Sequence, residues 1–313
     1  MQPPLIVDKP LLRQRLVRAL AGNAHRPNAQ GPDAGATFLL DAVSDDLIDR
    51  LGSVARHFET AIAMMGVTGR LAGKLATSGK AGAIYRIERV PEALASSRDQ
   101  TIAGLVGDEE ALPLRPESVD LIVSPLALTW TNDLPGALVQ LRRALKPDGL
   151  LLAALAGGGT LNELRFAMTQ AEAEITGGAS PRVMPFADVR EIGALLQRAG
   201  FALPVTDRDV LTVRYATPLA LFSDLKAMAA SNVMIGRDRR PISRRLLMRA
   251  AEIYAQTFAD PDGRIRATFE IISVSGWVPH ASQQKPARRG SATVSLADAL
   301  APDGSKTDFD KEG

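Results

Sequence analysis

The chain of 313 residues contains no cysteine. Disulfides, thiolate metal sites and a cysteine nucleophile are therefore excluded. Histidine is scarce as well, because only His25, His57 and His280 are present. Zinc and iron sites in proteins take many of their ligands from histidine. We therefore predict that the chain binds no metal ion.

An excess of one charge and long apolar runs are also lacking. Lysine and arginine number 37 against 35 aspartates and glutamates, so the pI near 9.0 reflects a net charge of only +2. Such a weak field does not indicate a nucleic-acid partner. No apolar run approaches the ~20 residues that cross a bilayer. The N-terminal charges lie inside its apolar stretch, unlike those of a secretory signal, and we predict a cytoplasmic protein without a transmembrane segment.

What is present is an ordinary globular composition with two helical patterns before residue 58. Apolar residues make up 46% and charged residues 23% of the chain. Leucines spaced by three and four predict helices over about residues 9–21 and 40–51. Residues 21–37 are rich in Gly, Pro, Asn and Ala, which is typical of a mobile linker. We predict an N-terminal extension over 1–37 and a main domain over 38–278.

From residue 58 short apolar runs alternate with helical periods. Such alternation favours an α/β fold with a parallel sheet that is covered on both faces. The predicted strands are 58–64, 83–87, 102–106, 119–124, 149–154, 208–214 and 265–275. The predicted helices lie near 69–78, 91–97, 133–145, 161–175, 188–200, 217–229 and 241–258. The last two helices form an insertion, at about 215–260, before the last strand.

Three of these helices have a predicted N-terminal cap. Thr160 with Glu163 and Asp188 with Glu191 are capping-box patterns, in which two side chains satisfy free amides at the helix start. Thr217, followed by a proline, is the third. After the last strand, residues 279–313 are polar except for one apolar patch at 294–300. We predict that this tail is disordered until it meets a partner.

Motifs in residues 107–164 resemble a known family. They are Gly107-Asp108, Leu112-Pro113-Leu114, Ser118-Val119-Asp120, Leu128-Thr129-Trp130 and Leu145-Lys146-Pro147-Asp148-Gly149. Together they resemble the second half of a class I S-adenosylmethionine-dependent methyltransferase domain, and in particular the malonyl-carrier-protein methyltransferase of biotin synthesis. The resemblance implies a seven-stranded Rossmann-like sheet with helices on both faces.

Two C-terminal stretches narrow the resemblance. RYATPLALFSDLKAMAASN (214–232) and SGWVPHASQQKPARRGSA (275–292) are similar to bacterial relatives of the mitochondrial complex I assembly factor that is described as a protein arginine hydroxylase. This resemblance extends over roughly residues 8–300. It implies a protein substrate or a complex I subunit as partner.

The resemblance also implies a cofactor site for S-adenosylmethionine. In such sheets the ligand lies at the carboxyl ends of the strands, at the topological switch point. Glycines in the first turn would admit the cofactor, an acid after strand two would accept from the ribose, and an acid after strand three from the adenine. The implied cofactor-binding residues are Gly66, Gly69, Glu88, Asp108, Ser124 and Trp130. The catalytic residue is not identified.

Each of these roles has an alternative. Glu88 would be an ordinary solvated residue at a strand end, and Asp108 a turn or cap residue. Trp130 would be a partly buried packing residue. Thr160 and Glu163 are best explained as a cap, and His57 as a structural residue at the start of strand one.

The first turn departs from the family's acid-x-Gly-x-Gly-x-Gly pattern. Ala63 replaces the acid, Met65 the first glycine and Val67 the second, while Gly69 remains and Gly66 lies one position out of register. A lost charged hydrogen bond costs about 1.5–3 kcal/mol, or roughly ten- to a hundred-fold in affinity. Met65 and Val67 would each add a side chain where backbone approaches the ligand. We predict that cofactor binding is weakened or lost.

Two functions remain open. The first is an S-adenosylmethionine-dependent enzyme that acts on a protein or carrier-bound substrate. The alternative is a non-methylating assembly factor for respiratory complex I, which holds its partner through the tail and the Arg237–Arg249 region. The resemblance then implies arginine hydroxylation as well. An NAD dehydrogenase is disfavoured, because Gly-x-Gly-x-x-Gly is absent after strand one.

Overall fold

A computed structural model describes residues 5–24, 37–95 and 102–283. Most of the predicted linker (25–36) and of the predicted tail (284–313) lies outside these ranges. The chain divides into two units, Met1–Pro279 and His280–Gly313, and the strands and helices of the described ranges lie in the first. In the described ranges, no helix is long and apolar enough to cross a bilayer.

The described residues form seven strands and nine α-helices. The strands are Phe58–Met64 (β1), Ala81–Glu88 (β2), Gly104–Val106 (β3), Val119–Pro125 (β4), Leu145–Ala156 (β5), Ala202–Tyr215 (β6) and Ile265–Trp277 (β7). The helices are Lys9–Ala24 (α1), Phe38–Gly52 (α2), Arg70–Thr77 (α3), Pro91–Ala95 (α4), Leu134–Ala144 (α5), Asn162–Thr176 (α6), Val189–Arg198 (α7), Pro218–Ala227 (α8) and Arg244–Phe258 (α9). Each predicted strand and helix overlaps one of them.

One sheet contains all seven strands, in the order β3-β2-β1-β4-β5-β7-β6. The first five strands pair in parallel, whereas β7 runs antiparallel to both of its neighbours. The predicted seven-stranded α/β sheet is confirmed, with β7 as the departure from a purely parallel arrangement. The chain order reverses between β1 and β4, so the carboxyl ends of these strands flank a switch point where α/β sheets bind ligands.

Helices cover both faces of the sheet because side chains alternate along each strand. In β1, Ala61 and Ala63 pack in the cluster with α2 and α3, whereas Ile62 and Met64 pack in the cluster with α5 and α7. A third cluster joins the predicted insertion, α8 and α9, to α6 and to the ends of β6 and β7. The insertion is thus part of the main body of the protein.

The predicted cap at Thr160 and Glu163 is wrong. Helix α6 begins at Asn162, and its N-cap is Leu161, which has a left-handed backbone (φ 55°) and no side-chain cap. The Thr160 hydroxyl instead donates to the Glu270 carbonyl (2.9 Å), and the Glu163 carboxylate accepts from the Thr268 amide (3.2 Å). Long-range contacts with β7 therefore take the groups that the local pattern assigned to the helix start.

The other two caps are confirmed. Asp188 and Glu191 form the capping box of α7, and the Thr217 hydroxyl accepts from the Ala220 amide at the start of α8. Strand β6 differs from its prediction, because it begins at Ala202 and not near residue 208. Its first half contains Pro204 and charged residues, so pairing with β7 extends the strand beyond its apolar pattern.

Candidate cofactor site

The turn after β1 keeps the backbone of a glycine loop without the glycines. Met65 (φ 57°), Val67 (φ 57°) and Gly69 (φ 77°) are all left-handed, at the three positions where the family pattern has glycine. The left-handed region costs a non-glycine residue about 1–2 kcal/mol, and a β-branched valine there is a clear outlier. The surrounding structure therefore imposes this conformation against the preference of two of its residues.

The two substituted side chains point in different directions. Met65 is 2% exposed and packs in the cluster with α5 and α7. Val67 is half-buried and packs against a cluster that includes Leu16 of α1 and Val90. Met65 is therefore part of the core, and its approach to a ligand stays a prediction. Only Val67 lies on the side where α1 covers the turn.

The two glycines of this turn serve the junction with α3. A Cβ atom on Gly66 would lie 3.2 Å from the Leu71 Cβ, tighter than an ordinary contact. Gly69 is the N-cap of α3 and needs its left-handed backbone there. In this structure both glycines therefore fix the start of α3, and their predicted contact with the cofactor stays a prediction.

The carboxylate of Glu88 is a buried internal ligand of the turn. Glu88 is 1% exposed, so a solvated strand end is wrong. Its oxygens accept from the Arg86 guanidinium (3.0 Å) and from the Val67 amide (3.1 Å). Burial raises the pKa of this carboxyl, against the opposing effect of Arg86. Glu88 therefore holds the turn from within, and its two oxygens already have donors.

The carboxylate of Asp108 faces cations from the N-terminal helix. It accepts from Lys9 Nζ (3.2 Å) and Arg13 Nη2 (2.8 Å) of α1, and from the Glu110 amide (3.0 Å). Burial acts to raise the pKa of Asp108, but the Glu110 amide and Lys9 outweigh it and the pKa is lowered. Asp108 is thus a turn residue, as one interpretation held, and also an anchor for α1.

Sequence reasoning missed the residues that close this edge of the sheet. Glu109 is fully buried and pairs with Arg89 (3.1 Å), while Lys9 contacts Asp108, Glu109 and Glu110. The one visible signal was the run of three acids after β3. Lys9 lies about a hundred positions away in the chain, so no local pattern could connect the two.

Helix α1 lies over the carboxyl ends of the first strands. Its Leu16 and Ala19 pack with Val90 and Ala93, the residues that follow β2. The preceding residue Val7 bridges to Met234 in the segment after α8. The predicted cofactor position is therefore covered by a helix that ion pairs and apolar contacts hold in place.

Ser124 and Trp130 lie on the β4 side of the same edge. Ser124 is fully buried, and its hydroxyl has no hydrogen-bond partner among the described residues. An unsatisfied buried hydroxyl in a native protein calls for an explanation, such as a ligand. Trp130 packs against Val7, Leu12 and Val233, so the interpretation as a partly buried packing residue is confirmed.

These residues allow a test of the predicted S-adenosylmethionine site. Ser124 provides a free hydroxyl at the end of β4, which fits the polar atoms of an adenosyl group. The Asp108 carboxylate after β3 is an acceptor of the right kind, and its oxygens accept from Lys9, Arg13 and the Glu110 amide in this structure. Glu88 fits the role of a ribose acceptor less well, because its oxygens accept from the Val67 amide and from Arg86. The donor and acceptor chemistry is thus present, and its access depends on α1.

Comparison with known proteins gives both a domain family and full-length relatives. Residues 64–153 match the family described as methyltransferase domain. The mouse protein named arginine-hydroxylase NDUFAF5, mitochondrial, is 39% identical over 83% of this chain and 76% of its own length. Its human counterpart is 37% identical over 86% of this chain and 80% of its own length. Malonyl-acyl-carrier-protein O-methyltransferase of Halorhodospira halophila is 33% identical over 75% of this chain and 79% of its own length.

Solved structures share the fold at much lower identity. The YcgJ protein of Bacillus subtilis aligns with a TM-score of 0.52 and 14% identity, over 77% of this chain and 99% of its own. A protein of Bacillus halodurans C-125 aligns with a TM-score of 0.54 and 15% identity, over 75% and 100%. At this identity the likeness concerns the fold alone.

Proposed function

This chain belongs to the class I S-adenosylmethionine-dependent methyltransferase superfamily, and from that premise we propose that it binds S-adenosylmethionine and acts on a protein or carrier-bound substrate. The observation that carries the proposal is the turn after β1. Its three left-handed residues have the backbone of the family's glycine turn, which would admit the cofactor, and the Glu88 carboxylate accepts from the Val67 amide of that turn (3.1 Å). A strained backbone that the surrounding structure maintains is typical of a functional site.

In this proposal, residues of the chain bind the cofactor and exclude water from it. Asp108 would accept from the adenine, and the free hydroxyl of Ser124 would contact the ligand beside Trp130. Helix α1 would exclude water from the bound group, since its Lys9 and Arg13 close the edge. The cofactor supplies an electrophilic methyl group, so the protein mainly positions and desolvates the reactants.

The alternative proposal is a non-methylating assembly factor for respiratory complex I, with arginine hydroxylation by family resemblance. The contacts of the two predicted acids favour this alternative, because Asp108 and Glu88 already accept hydrogen bonds from arginine side chains of the protein. The partner would be a protein held through the tail and the Arg237–Arg249 region. We place the protein in the cytoplasm by default, although the names of the mouse and human relatives place those proteins in mitochondria.

Calorimetric titration with S-adenosylmethionine and S-adenosylhomocysteine decides between the two. The first proposal requires that the substituted turn still binds the cofactor, with a micromolar dissociation constant, and Asp108→Asn should then weaken binding about tenfold through a lost charged hydrogen bond. Asp46→Asn is the matched control, since Asp46 forms an ion pair with Arg50 on α2 (2.7 Å), away from the site. Saturable binding that both variants share unchanged would remove Asp108 from the site. No heat at millimolar ligand would overturn the first proposal and favour the second.

A further inference from the structure

A group of exposed arginines lies in the segment before α9 and in the first turn of that helix. The structure divides the six arginines of the Arg237–Arg249 run. Arg237 donates to Asp8 (3.1 Å) and Arg249 to Glu174 (2.7 Å), so these two stabilise the fold. The other four are exposed, and within the described ranges they make no ion pair. These four, which we call the arginine patch, are Arg239, Arg240, Arg244 and Arg245.

Two members of the patch lie where a helix disfavours positive charge. Arg244 and Arg245 are the first two residues of α9, whose first turn has no acidic side chain. The N-terminus of a helix carries a partial positive charge, so an anion stabilises it and a cation does not. The cap is the neutral Ser243 hydroxyl, which accepts from the Leu246 amide (3.1 Å). A local rule that is broken without compensation is expected at a functional site.

Positive charge is concentrated in this run. Residues 237–249 contain six arginines and one aspartate, whereas the whole chain has a net charge of +2. The rest of the chain is therefore net acidic. A partner that carries carboxylates would therefore be steered to the arginine patch in preference to the remaining surface.

Apolar side chains next to the patch fit a protein better than a lipid surface. Ile242 is 37% and Met248 48% exposed, and apolar contacts within a polar rim are typical of protein interfaces. Insertion into lipid needs a broad apolar helix face. The apolar face of α9, with Leu246, Ala250 and Tyr254, is buried in the protein.

The segment before the patch is paired with the start of the N-terminal helix. The Ile235 amide donates to the Ile6 carbonyl (2.8 Å), and Arg237 binds Asp8, the residue before Lys9. Lys9 in turn contacts Asp108 at the candidate site. A partner on the arginine patch would therefore sit beside the helix that covers this site.

We propose that the arginine patch, together with Ile242 and Met248, docks an acidic surface of a partner protein. The role of the partner as a substrate rests on the proposed function, because a docked protein would present its side chain or carrier group beside α1. The docking itself depends only on the four free arginines and the exposed apolar pair.

Binding of an acidic probe to the full chain tests the proposal. The probe is a fluorescein-labelled peptide of about 20 residues, long enough to form a helix, with glutamates on one face and leucines on the other. Reversal of the patch by Arg239→Glu, Arg240→Glu, Arg244→Glu and Arg245→Glu should weaken its binding at least tenfold in fluorescence anisotropy, an effect of ~1.4 kcal/mol or more. Neutral Arg→Gln changes at the same positions should have a smaller effect in the same direction.

The matched control reverses four other exposed arginines, Arg115, Arg143, Arg190 and Arg198. It changes the net charge equally and should leave the dissociation constant within about twofold. Equal losses in both variants would overturn the proposal, as would binding of anionic phosphatidylglycerol vesicles without binding of the peptide. S-adenosylhomocysteine titration of the same proteins separates the two proposals. Lost peptide binding with intact ligand binding assigns the effect to the patch, whereas peptide binding without any ligand binding overturns only the proposed cofactor function.

Discussion

The ends of β2 and β3 carry two acids that look alike in sequence and differ in their surroundings. Glu88 is 1% exposed, and both of its hydrogen-bond partners, Arg86 and the Val67 amide, belong to the sheet and its first turn. Asp108 is half-buried, and its charged partners Lys9 and Arg13 come from α1. One acid is thus fixed within the fold, whereas the other binds a separate helix.

The difference assigns the two acids distinct tasks. A buried carboxylate that neutralises a buried guanidinium is costly to remove, because the remaining charge is left without a partner. A carboxylate that binds lysine and arginine near the surface gains less, and salt or a competing ligand can replace those contacts. We therefore interpret Glu88 as support for the turn and propose Asp108 as the acid whose contacts a ligand would replace.

The largest effect should follow removal of Glu88. Glu88→Ala leaves the Arg86 guanidinium buried and unpaired, so the free energy of unfolding should fall by about 3–5 kcal/mol. Asp108→Ala should cost about 1 kcal/mol, since Lys9 keeps Glu109 and Glu110 as partners. Urea denaturation followed by circular dichroism measures both values.

A double variant checks the reason for this asymmetry. Arg86→Met combined with Glu88→Met removes both charges and should recover at least half of the loss seen for Glu88→Ala. Equal costs for the two single alanine variants would mean that Glu88 and Asp108 do not differ in the way described.

An intermediate effect is expected at the first turn, where Met65 and Val67 share a left-handed backbone and differ in direction. Val67→Gly relieves strain of about 1–2 kcal/mol but gives up packing and chain stiffness, so stability should change little. It also removes the side chain beside α1, and the affinity for S-adenosylhomocysteine should rise about tenfold. Calorimetry measures the affinity.

Met65→Gly is the matched comparison for that change. It relieves the same backbone strain but empties a position that is 2% exposed in the core. The lost packing should destabilise the protein by about 2–5 kcal/mol, with no gain in affinity. A gain in affinity for Met65→Gly and none for Val67→Gly would reverse our account of which side chain faces the ligand.

The smallest effect concerns pH. The pKa of Asp108 is lowered, so its contribution to stability is present above its ordinary value of 3.8 and is lost as the pH falls through the folded value. The pKa of Glu88 is raised, so folding is favoured most when this carboxyl is protonated, and stability declines as the pH rises above 4.5.

Isosteric variants isolate these two contributions. The stability of the wild type relative to Asp108→Asn should fall as the pH drops below about 3.8. Relative to Glu88→Gln, wild-type stability should fall as the pH rises above about 4.5. Urea denaturation from about pH 3 to about pH 8 gives both slopes, and slopes of the same sign would contradict the assignment.

The alternation of strands and helices was predictable, and its boundaries were less so. Strand β4 is buried at all seven positions around the apolar run Leu121-Ile122-Val123, so its pattern suffices to place it. Strand β6 is an edge strand with Pro204 and several charges, and its first half became visible only through pairing with β7. The pattern at Thr160 and Glu163 likewise gave way to contacts with β7.

The sequence indicated which residues lie near the candidate site, but it did not indicate which groups they contact. The acids at the ends of β2 and β3 and the substituted turn were visible in the sequence, and their roles as cofactor ligands remain predictions. Nothing local indicated that the Glu88 carboxylate binds the Val67 amide or that Met65 turns into the core. Those directions depend on backbone angles that a substituted glycine pattern does not reveal.

By itself the sequence determined the class of fold, the order of its elements and the loss of glycine at Met65 and Val67, because hydrophobic periodicity and turn chemistry are local properties. The tertiary structure decided which groups meet. It placed Lys9 and Arg13 of α1 on Asp108, and it separated the internally paired Arg237 from the free arginine patch. Ion pairs between residues about a hundred or more positions apart depend on how the chain folds back on itself, and no periodicity along the chain records that.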